Sequence, residues 1–222
     1  RHFLNDEVHT ISNYQHHSSG NSSEQIAEEL GVHDFVNTIS TACSSAANAI
    51  MMGARMIRQG ILDRVIVGGT DGLAGFTING FRSLMIFDED WCRPFDASRK
   101  GLNLGEGAGY IVIESENSIQ KSGSTVLARL RGWSNASDAY HQTASSPDGE
   151  GATRSMTEAL KVAGLQPSDI DYINAHGTAT PNNDLSESQA IINVFGTNIP
   201  PFSSTKAYTG HTLAASGGIE AV

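Results

Sequence analysis

Four residues of the chain combine reactive side chains with settings that could place them in one site. They are found in three short motifs: Cys43 in TACSSAA, His176 in NAHGTATP, and Lys206 and His211 in SSTKAYTGH. A cysteine paired with histidine suits acyl transfer through a thioester, because a thiolate is a good nucleophile and also a good leaving group in the next step. Two histidines and a lysine, in place of one histidine with an orienting Asp or Asn, favour transfer over hydrolysis. The motifs therefore predict a covalent acyl-transfer site around Cys43.

The segment around Cys43 predicts a turn between a strand and a helix. Residues 35–40 (FVNTIS) have the composition of a buried strand, and residues 46–59 predict a helix that ends at Gly60. Cys43 then lies at the helix start, where free backbone N–H groups and the helix dipole favour a thiolate over a thiol and can face an oxyanion. The alternative is a buried cysteine that packs as a small hydrophobic residue.

The rest of the chain alternates predicted strands and helices, which is typical of an α/β protein. Residues 64–69 predict a short buried strand of the kind found in parallel sheets, and residues 108–114 predict another strand that pairs with 126–133. A strand over 170–175 is expected to deliver His176. Helices are predicted over the ranges 24–30, 153–163 with Gly164 as its stop, and 184–195.

Two segments of the chain share a weak internal similarity. TACSSAA at 41–47 and TGHTLAA at 209–215 both begin with Thr and end with Ala-Ala. Each places a reactive side chain at a predicted helix start. The match fits a duplicated fold whose halves each contribute one catalytic turn.

Composition limits the class of protein. The 222 residues are 39% hydrophobic with 23 glycines, which predicts a globular protein with tight strand-to-helix turns. A net charge of −10 argues against a nucleic-acid binder, and no apolar run approaches the roughly 20 residues of a membrane span. Two cysteines and no signal-like start favour a reducing, cytoplasmic compartment. Because the chain begins at Arg1 and stops at Val222 inside a predicted helix, we expect it to be a piece of a longer protein.

Taken in this order, the three motifs resemble the active-site motifs of β-ketoacyl-(acyl carrier protein) synthases, the condensing enzymes of the thiolase-like superfamily. The glycine-rich stretch 93–109 is also similar to that family, and the resemblance runs from about Gly31 to the end. It implies a thiolase-like fold, a layered α/β architecture with duplicated βαβ halves, here incomplete at both ends. Residues 1–33 would form a polar N-terminal segment of the first half, and 34–222 the ketosynthase core, with the halves meeting near 115 and 116.

The resemblance also implies a role for each motif residue. Cys43 would take the acyl chain, while His176 and His211 would hold the malonyl thioester carbonyl during decarboxylation. Lys206 would keep His211 neutral by like-charge repulsion. Other expected site residues are Thr178 and Thr180 at the pantetheine arm, Glu187 and Asp184 in a supporting network near the lysine, Phe81 in the acyl pocket and His141 near the substrate tunnel. Turn chemistry for the two threonines, core packing for the phenylalanine and a structural role for His141 are the alternatives.

The activity that the resemblance implies is decarboxylative Claisen condensation of an acyl thioester on Cys43 with malonyl-acyl carrier protein, giving 3-oxoacyl-acyl carrier protein in fatty acid biosynthesis. No cofactor would be needed, because the substrates are carried on the phosphopantetheine of the acyl carrier protein, and a homodimer pairing through residues 65–69 is expected. The chain alone is expected to be inactive, because the family's glycine-rich loop beside the nucleophile would follow Val222.

The sequence leaves several alternatives to this function. A type II polyketide or aryl polyene ketosynthase would use the same chemistry on another chain, and a non-catalytic ketosynthase-like partner subunit would typically lack Cys43. The setting of Cys92 does not resemble the second cysteine of a thiolase, which predicts a structural role. A metal site built from Cys43, His176 and His211 is disfavoured, because no pair of ligands has short chelating spacing in the sequence.

Overall fold

The computed structural model describes residues 18–141 and 144–222, and the chain divides into two compact units, 1–41 and 42–222. In the first unit, helix α1 spans Asn21–Glu29, close to its predicted range. The strand predicted over 35–40 is wrong: the segment belongs to no strand, and Phe35 and Val36 are exposed. Its Thr38 side chain instead donates a hydrogen bond to a serine of α1. An apolar extended segment becomes a strand only when a neighbouring strand pairs with its backbone groups.

The second unit contains two small sheets and seven α-helices among the described residues. The elements are α2 (Ser45–Arg58), β1 (Arg64–Asp71), α3 (Gly75–Ser83), β2 (Gly107–Glu114), α4 (Glu116–Ser122), α5 (Glu150–Ala163), β3 (Ile173–Asn174), α6 (Pro181–Phe195), β4 (Phe202–Ser203), α7 (Lys206–Thr209) and α8 (Ser216–Ala221). Short 3-10 helices span Pro167–Asp169 and Leu213–Ala215. Among these described helices, none has the length and apolar character that crossing a membrane requires.

The predicted helices are confirmed. Helix α2 ends at Arg58, and Gly60 follows it with φ +70°. Helix α5 begins three residues before its predicted start and stops at Gly164, which adopts the left-handed conformation that favours glycine. Helix α6 also begins three residues early, because Pro181 is pre-organised for the first helical position.

The predicted strands are only partly correct. Strand β1 exists, but it pairs antiparallel with β2, with Arg64 opposite Glu114 and Asp71 opposite Gly107, and of its residues only Val67 is buried. An antiparallel pair can leave one face to solvent, whereas a parallel strand is covered on both faces. Residues 126–133 form no strand, and Leu127 is 95% exposed. The strand expected over 170–175 is reduced to β3, which pairs in parallel with β4.

Glycines bring helix α8 onto this sheet. A Cβ atom at Gly109 of β2 would lie 2.5 Å from the backbone of Gly218, too close for any side chain. The bare backbones therefore approach directly, and α8 packs across β1 and β2 beside α2. This packing places the start of α2, the end of β1 and the beginning of α8 next to one another.

Candidate active site

Three turns from distant parts of the chain bring Cys43, His176 and His211 together. Cys43 Sγ lies 2.9 Å from His211 Nε2. The two imidazole rings meet edge to face, with centroids 5.2 Å apart and an angle of 87° between their planes. One sulfur and one nitrogen from each histidine all lie within 4.8 Å of one another. Residues separated by up to 168 positions thus form one cluster.

Cys43 occupies the turn before helix α2, as its sequence setting predicts. Ala42 precedes it with φ +53°, and the carbonyl of Ala42 accepts hydrogen bonds from the backbone N–H and hydroxyl of Ser45 at 3.1 and 2.6 Å. The expectation that this position favours a thiolate is wrong for the free thiol. Burial raises the pKa of Cys43 above its usual value, and this effect outweighs the opposing influences of Lys206 and the residue's own backbone N–H.

His211 occupies a turn that shares two features with the turn at Cys43. Gly210 precedes it with φ +67°, as Ala42 precedes Cys43, and a helical turn begins two residues later in both cases. The backbone N–H of Leu213 donates to His211 Nδ1 at 3.3 Å, and the Ser216 hydroxyl, 3.1 Å from the same nitrogen, can donate to it as well. An N–H group can only donate, so we assign the ring hydrogen to Nε2, the atom that faces Cys43. Burial, and secondly the charge of Lys206, lower the pKa of His211 to about 4. His211 is therefore a neutral N–H donor at physiological pH.

His176 is held by a carboxylate at the end of strand β3. Its backbone N–H donates to Glu187 Oε1 at 2.7 Å, and the N–H of Gly177 donates to Oε2 at 2.8 Å. Burial is the main cause that lowers the pKa of His176 to about 3, with Lys206 the second. The ring is thus neutral for the same reasons as its neighbour.

A second carboxylate fixes the loop that follows His176. Asp184 is buried, and it accepts hydrogen bonds from the backbone N–H groups of Phe95 at 2.6 Å and Ala179 at 3.1 Å. Asp184 and Glu187 lie one turn apart on helix α6, so both face the loop. Asp184 and Glu187 therefore form a supporting network, as predicted, but they bind backbone N–H groups of the loop. The acid that contacts Lys206 directly is a different residue.

That acid is Glu220, which lies outside the three motifs and is absent from the predicted site. Lys206 is only 2% exposed, and its Nζ forms an ion pair with Glu220 on helix α8. The sequence does contain a signal: Glu220 is the single acidic residue after Glu187 and stands among small and apolar neighbours. Charged residues in such surroundings are seldom buried without a partner. The ion pair fixes the ammonium group that acts on both histidines.

Comparison with known proteins identifies the family. The model of the β-ketoacyl synthase N-terminal domain matches residues 5–118, and that of the C-terminal domain matches residues 127–222. The chain belongs to the β-ketoacyl synthase family. It is 42% identical over 206 residues to 3-oxoacyl-[acyl-carrier-protein] synthase 2 of Staphylococcus aureus, covering 89% of this chain and 51% of the relative. The synthase 2 of a Synechocystis strain is 41% identical over 205 residues, covering 88% of this chain and 49% of that protein.

Solved structures confirm the thiolase-like α/β fold of this β-ketoacyl synthase chain. A Xenorhabdus doucetiae ketosynthase in complex with its chain length factor is 41% identical with a TM-score of 0.84, covering 92% of this chain and 49% of that one. A type II polyketide synthase acyl-carrier protein complex with its ketosynthase gives 32% identity and a TM-score of 0.91, covering 96% of this chain and 54% of that one. The chain spans about half the length of the relatives it matches.

The other residues expected at the β-ketoacyl synthase site are placed as follows. Thr178 is buried, and its hydroxyl lies 2.9 Å from that of Thr180, the residue before helix α6. Phe81 is half-buried on helix α3, and His141 is exposed beside the undescribed residues 142–143. The structural role predicted for Cys92 fits its surroundings, because it is buried and its thiol donates to the Lys206 carbonyl at 3.1 Å.

The cluster also has the composition of a metal-ligand set, although sequence spacing had argued against one. Tertiary structure brings Cys43, His176 and His211 within reach of one ion, so separation in sequence was the wrong criterion. Two features of the site disfavour a cation. The His211 nitrogen facing the thiol carries hydrogen and offers no lone pair, and the ammonium of Lys206 acts on all three groups.

Proposed function

We propose that this chain is part of a condensing enzyme that extends an acyl chain by decarboxylative Claisen condensation in fatty acid biosynthesis. The acyl group would be carried as a thioester on Cys43, and malonyl-acyl carrier protein would supply two carbons to give 3-oxoacyl-acyl carrier protein. The observation that carries this proposal is the meeting of the Cys43 thiol with two neutral imidazoles, 2.9 Å from one of them and within 4.8 Å of both.

In the first half-reaction, Cys43 Sγ attacks the carbonyl carbon of an acyl thioester. The new carbon–sulfur bond replaces the bond to the donor thiol, which leaves with the proton from Cys43. The thiolate that forms accepts a hydrogen bond from His211 Nε2 and is stabilised by the charge of Lys206. The backbone N–H of Cys43, at the start of helix α2, can donate to the oxyanion of the tetrahedral intermediate.

In the second half-reaction, the malonyl thioester oxygen accepts one ring N–H from His176 and one from His211. The bond to the carboxylate carbon breaks, carbon dioxide leaves, and the electron pair forms an enolate on the remaining two carbons. Because the pKa values of His176 and His211 are about 3 and about 4, both rings donate hydrogen bonds without carrying charge. The enolate carbon then attacks the Cys43 thioester carbonyl, which forms the new carbon–carbon bond and releases Cys43 as a thiolate that takes up a proton from water.

The partner that fits this chemistry is an acyl carrier protein with phosphopantetheine-bound substrates. One similar solved structure is itself a ketosynthase in complex with an acyl-carrier protein. Thr178 and Thr180, whose hydroxyls meet at the end of the His176 loop, are proposed to contact the pantetheine arm. We also propose the cytoplasmic location that the sequence predicts. Both cysteines are free thiols, which is usual in a reducing compartment.

We propose a homodimer that pairs through strand β1. Among the described residues, β1 has a strand neighbour on one edge only, where β2 pairs with it. The outer face of this two-stranded sheet carries an exposed apolar pair, Ile66 opposite Val112. A symmetry-related copy of β1 would satisfy the free edge of the strand.

A ketosynthase of a type II polyketide or aryl polyene pathway is the second candidate. It is favoured by the similar solved structures, two of which are ketosynthases in complex with chain length factors, at 41% and 35% identity. The chemistry at Cys43 would be unchanged, and only the chain carried by the thioester would differ. A non-catalytic partner subunit is disfavoured, because the chain retains Cys43 in contact with His211.

The test separates the two half-reactions in the full-length protein. His176→Ala and His211→Ala should slow carbon dioxide release from malonyl-acyl carrier protein by at least about 100-fold, the size expected for losing one oxyanion donor. Acylation of Cys43, followed by intact mass, should be affected less. His33→Ala changes an exposed histidine of the first unit and provides the matched control. Near-normal carbon dioxide release from both active-site variants would rule out this mechanism.

Intact mass also separates the two candidate pathways. The full-length protein is incubated with acyl carrier proteins loaded with saturated acyl groups or with polyene or polyketide chains. Preferential transfer of saturated acyl groups to Cys43 supports fatty acid biosynthesis. Preferential transfer of the other chains supports the second candidate.

A further inference from the structure

Asp71 joins the sheet to the turn that carries His211. It is the last residue of strand β1, and its Oδ2 accepts a hydrogen bond from the backbone N–H of Ala214 at 3.1 Å. The strand end packs tightly here, because a Cβ atom at Gly69 would lie 2.8 Å from both the Ala214 carbonyl oxygen and the Ala46 side chain. The end of β1 therefore lies between the helix of Cys43 and the helical turn after His211.

The turn that Asp71 holds is strained. Leu213 is buried and has φ +52°, a left-handed conformation that is unfavourable for a residue with a bulky side chain. Such a conformation persists only when its surroundings hold it. Two successive backbone N–H groups are fixed at this point: that of Leu213 donates to His211 Nδ1, and that of Ala214 donates to Asp71.

We propose that Asp71 is a positioning residue for His211. By holding Ala214 N–H, its carboxylate keeps Leu213 in the left-handed conformation that directs the Leu213 N–H to His211 Nδ1. That hydrogen bond, with the Ser216 hydroxyl 3.1 Å from the same nitrogen, keeps the ring hydrogen on Nε2, where it faces Cys43 Sγ. The inference rests on the proposed condensation, in which His211 donates from Nε2 to the malonyl oxygen.

The charge of Asp71 provides a second, independent readout. Three charged side chains act on the Cys43 thiol: Asp71 and Glu220 raise its pKa, and Lys206 lowers it. Removing the charge of Asp71 should therefore lower the pKa of Cys43, and alkylation of Cys43 should begin at lower pH. A residue whose charge did not reach the thiol would not produce this shift, and the positioning of His211 itself is measured by carbon dioxide release.

The experiment compares Asp71→Asn, Asp71→Ala and the control Thr70→Val in the full-length protein. The Asn variant removes the charge and keeps an acceptor oxygen, whereas the Ala variant removes both. Thr70 precedes Asp71 on the same strand, and its hydroxyl contacts the Gly107 carbonyl instead of the His211 turn. Carbon dioxide release from malonyl-acyl carrier protein and the pH profile of Cys43 alkylation by iodoacetamide are measured for each, with thermal melting to establish folding.

Asp71→Ala should slow carbon dioxide release by roughly 10- to 100-fold, because a donor displaced from its geometry loses most of its effect. Asp71→Asn should retain more of the rate than the Ala variant, and both should shift the alkylation profile to lower pH, while Thr70→Val changes neither. Undiminished release from Asp71→Ala, or equal loss in both variants, overturns the inference. If the Ala variant is unfolded, an unshifted alkylation profile in Asp71→Asn overturns it. No carbon dioxide from the unaltered protein would instead overturn the proposed function.

Discussion

Replacing Lys206 by methionine tests how the buried ion pair supports the site. The change keeps a long side chain and removes the ammonium group that pairs with Glu220. Lys206 is 2% exposed and Glu220 is 20% exposed, so the carboxylate would remain largely out of water without a partner. Removing one partner of a buried pair reduces the free energy of unfolding by about 3–5 kcal/mol. Because Glu220 keeps some contact with solvent, we expect a loss of about 3 kcal/mol at pH 8.

The loss should depend on pH with a definite sign. Burial already raises the pKa of Glu220, and Lys206 opposes this increase through its charge and hydrogen bond. Without Lys206, the pKa of Glu220 in the folded protein rises further above its unfolded value. A carboxyl group of this kind destabilises the fold above its folded pKa and ceases to do so once it is protonated. The difference between variant and wild type should therefore shrink by about 1.4 kcal/mol per pH unit as pH falls from that pKa to the lower folded pKa of Glu220 in the wild type.

The histidines act in the same direction. Their pKa values in the folded protein, about 3 and about 4, lie below the unfolded value of 6.5. Wild type and Lys206→Met therefore both lose stability as pH falls below 6.5. Without Lys206 these folded pKa values rise but stay depressed, because burial is the larger cause. As pH falls, the histidines of the variant therefore become protonated in the folded protein at a higher pH than those of the wild type. Below that pH the histidines cause no further loss of stability in the variant, whereas the wild type continues to lose stability.

Urea unfolding of the full-length protein at pH 8 and pH 5 measures these differences. Lys161→Met is the matched control, because Lys161 is 75% exposed and pairs with Glu158 at the surface, where such pairs contribute about 0–1 kcal/mol. The double variant Lys206→Met/Glu220→Gln removes the unpaired charge and should recover most of the lost stability. An equal loss at both pH values, or a double variant as unstable as Lys206→Met, would refute the reasoning.

Three further predictions concern the cysteines, the boundaries of the chain and its assembly. Cys43 should react with limiting iodoacetamide well before Cys92, which is 4% exposed and donates its thiol hydrogen to a carbonyl. The reaction of Cys43 should become faster as pH rises towards the raised pKa of this thiol. Equal labelling of the two cysteines, or an acyl adduct that survives Cys43→Ala, would contradict the assignment of Cys43 as the acylated residue. The 222-residue chain alone should form less 3-oxoacyl product than a version extended at both ends, by about 100- to 1,000-fold if one oxyanion donor is missing, and comparable turnover would show that the chain is self-sufficient. Light scattering of the full-length protein at micromolar concentration should give twice the chain mass, and a clean monomer would exclude pairing through β1.

Local sequence determined the helices and the turns that carry the reactive residues. Gly60 and Gly164 mark the ends of α2 and α5, because a left-handed residue after a helix is a property of a few consecutive positions. The turn at Cys43 and the similar turn at His211 were also predictable, since each depends on a short motif. The acyl-transfer chemistry followed from these residue types without knowledge of their distances.

Tertiary structure decided the properties that depend on distant groups. Strand direction was one, because β1 pairs with a strand more than 30 residues away, and its own composition does not say whether that partner runs parallel or antiparallel. The Cys43 thiol was another: its helix-start position favours the thiolate, but the surrounding unit withdraws it from water, and desolvation is the larger effect. The partner of Lys206 was a third, because Glu220 reaches it only when Gly109 and Gly218 let helix α8 approach the sheet. Charge and burial act between residues that are close in space but distant in sequence. The residue types therefore predict the reaction, whereas packing sets the protonation states of the cysteine and the two histidines.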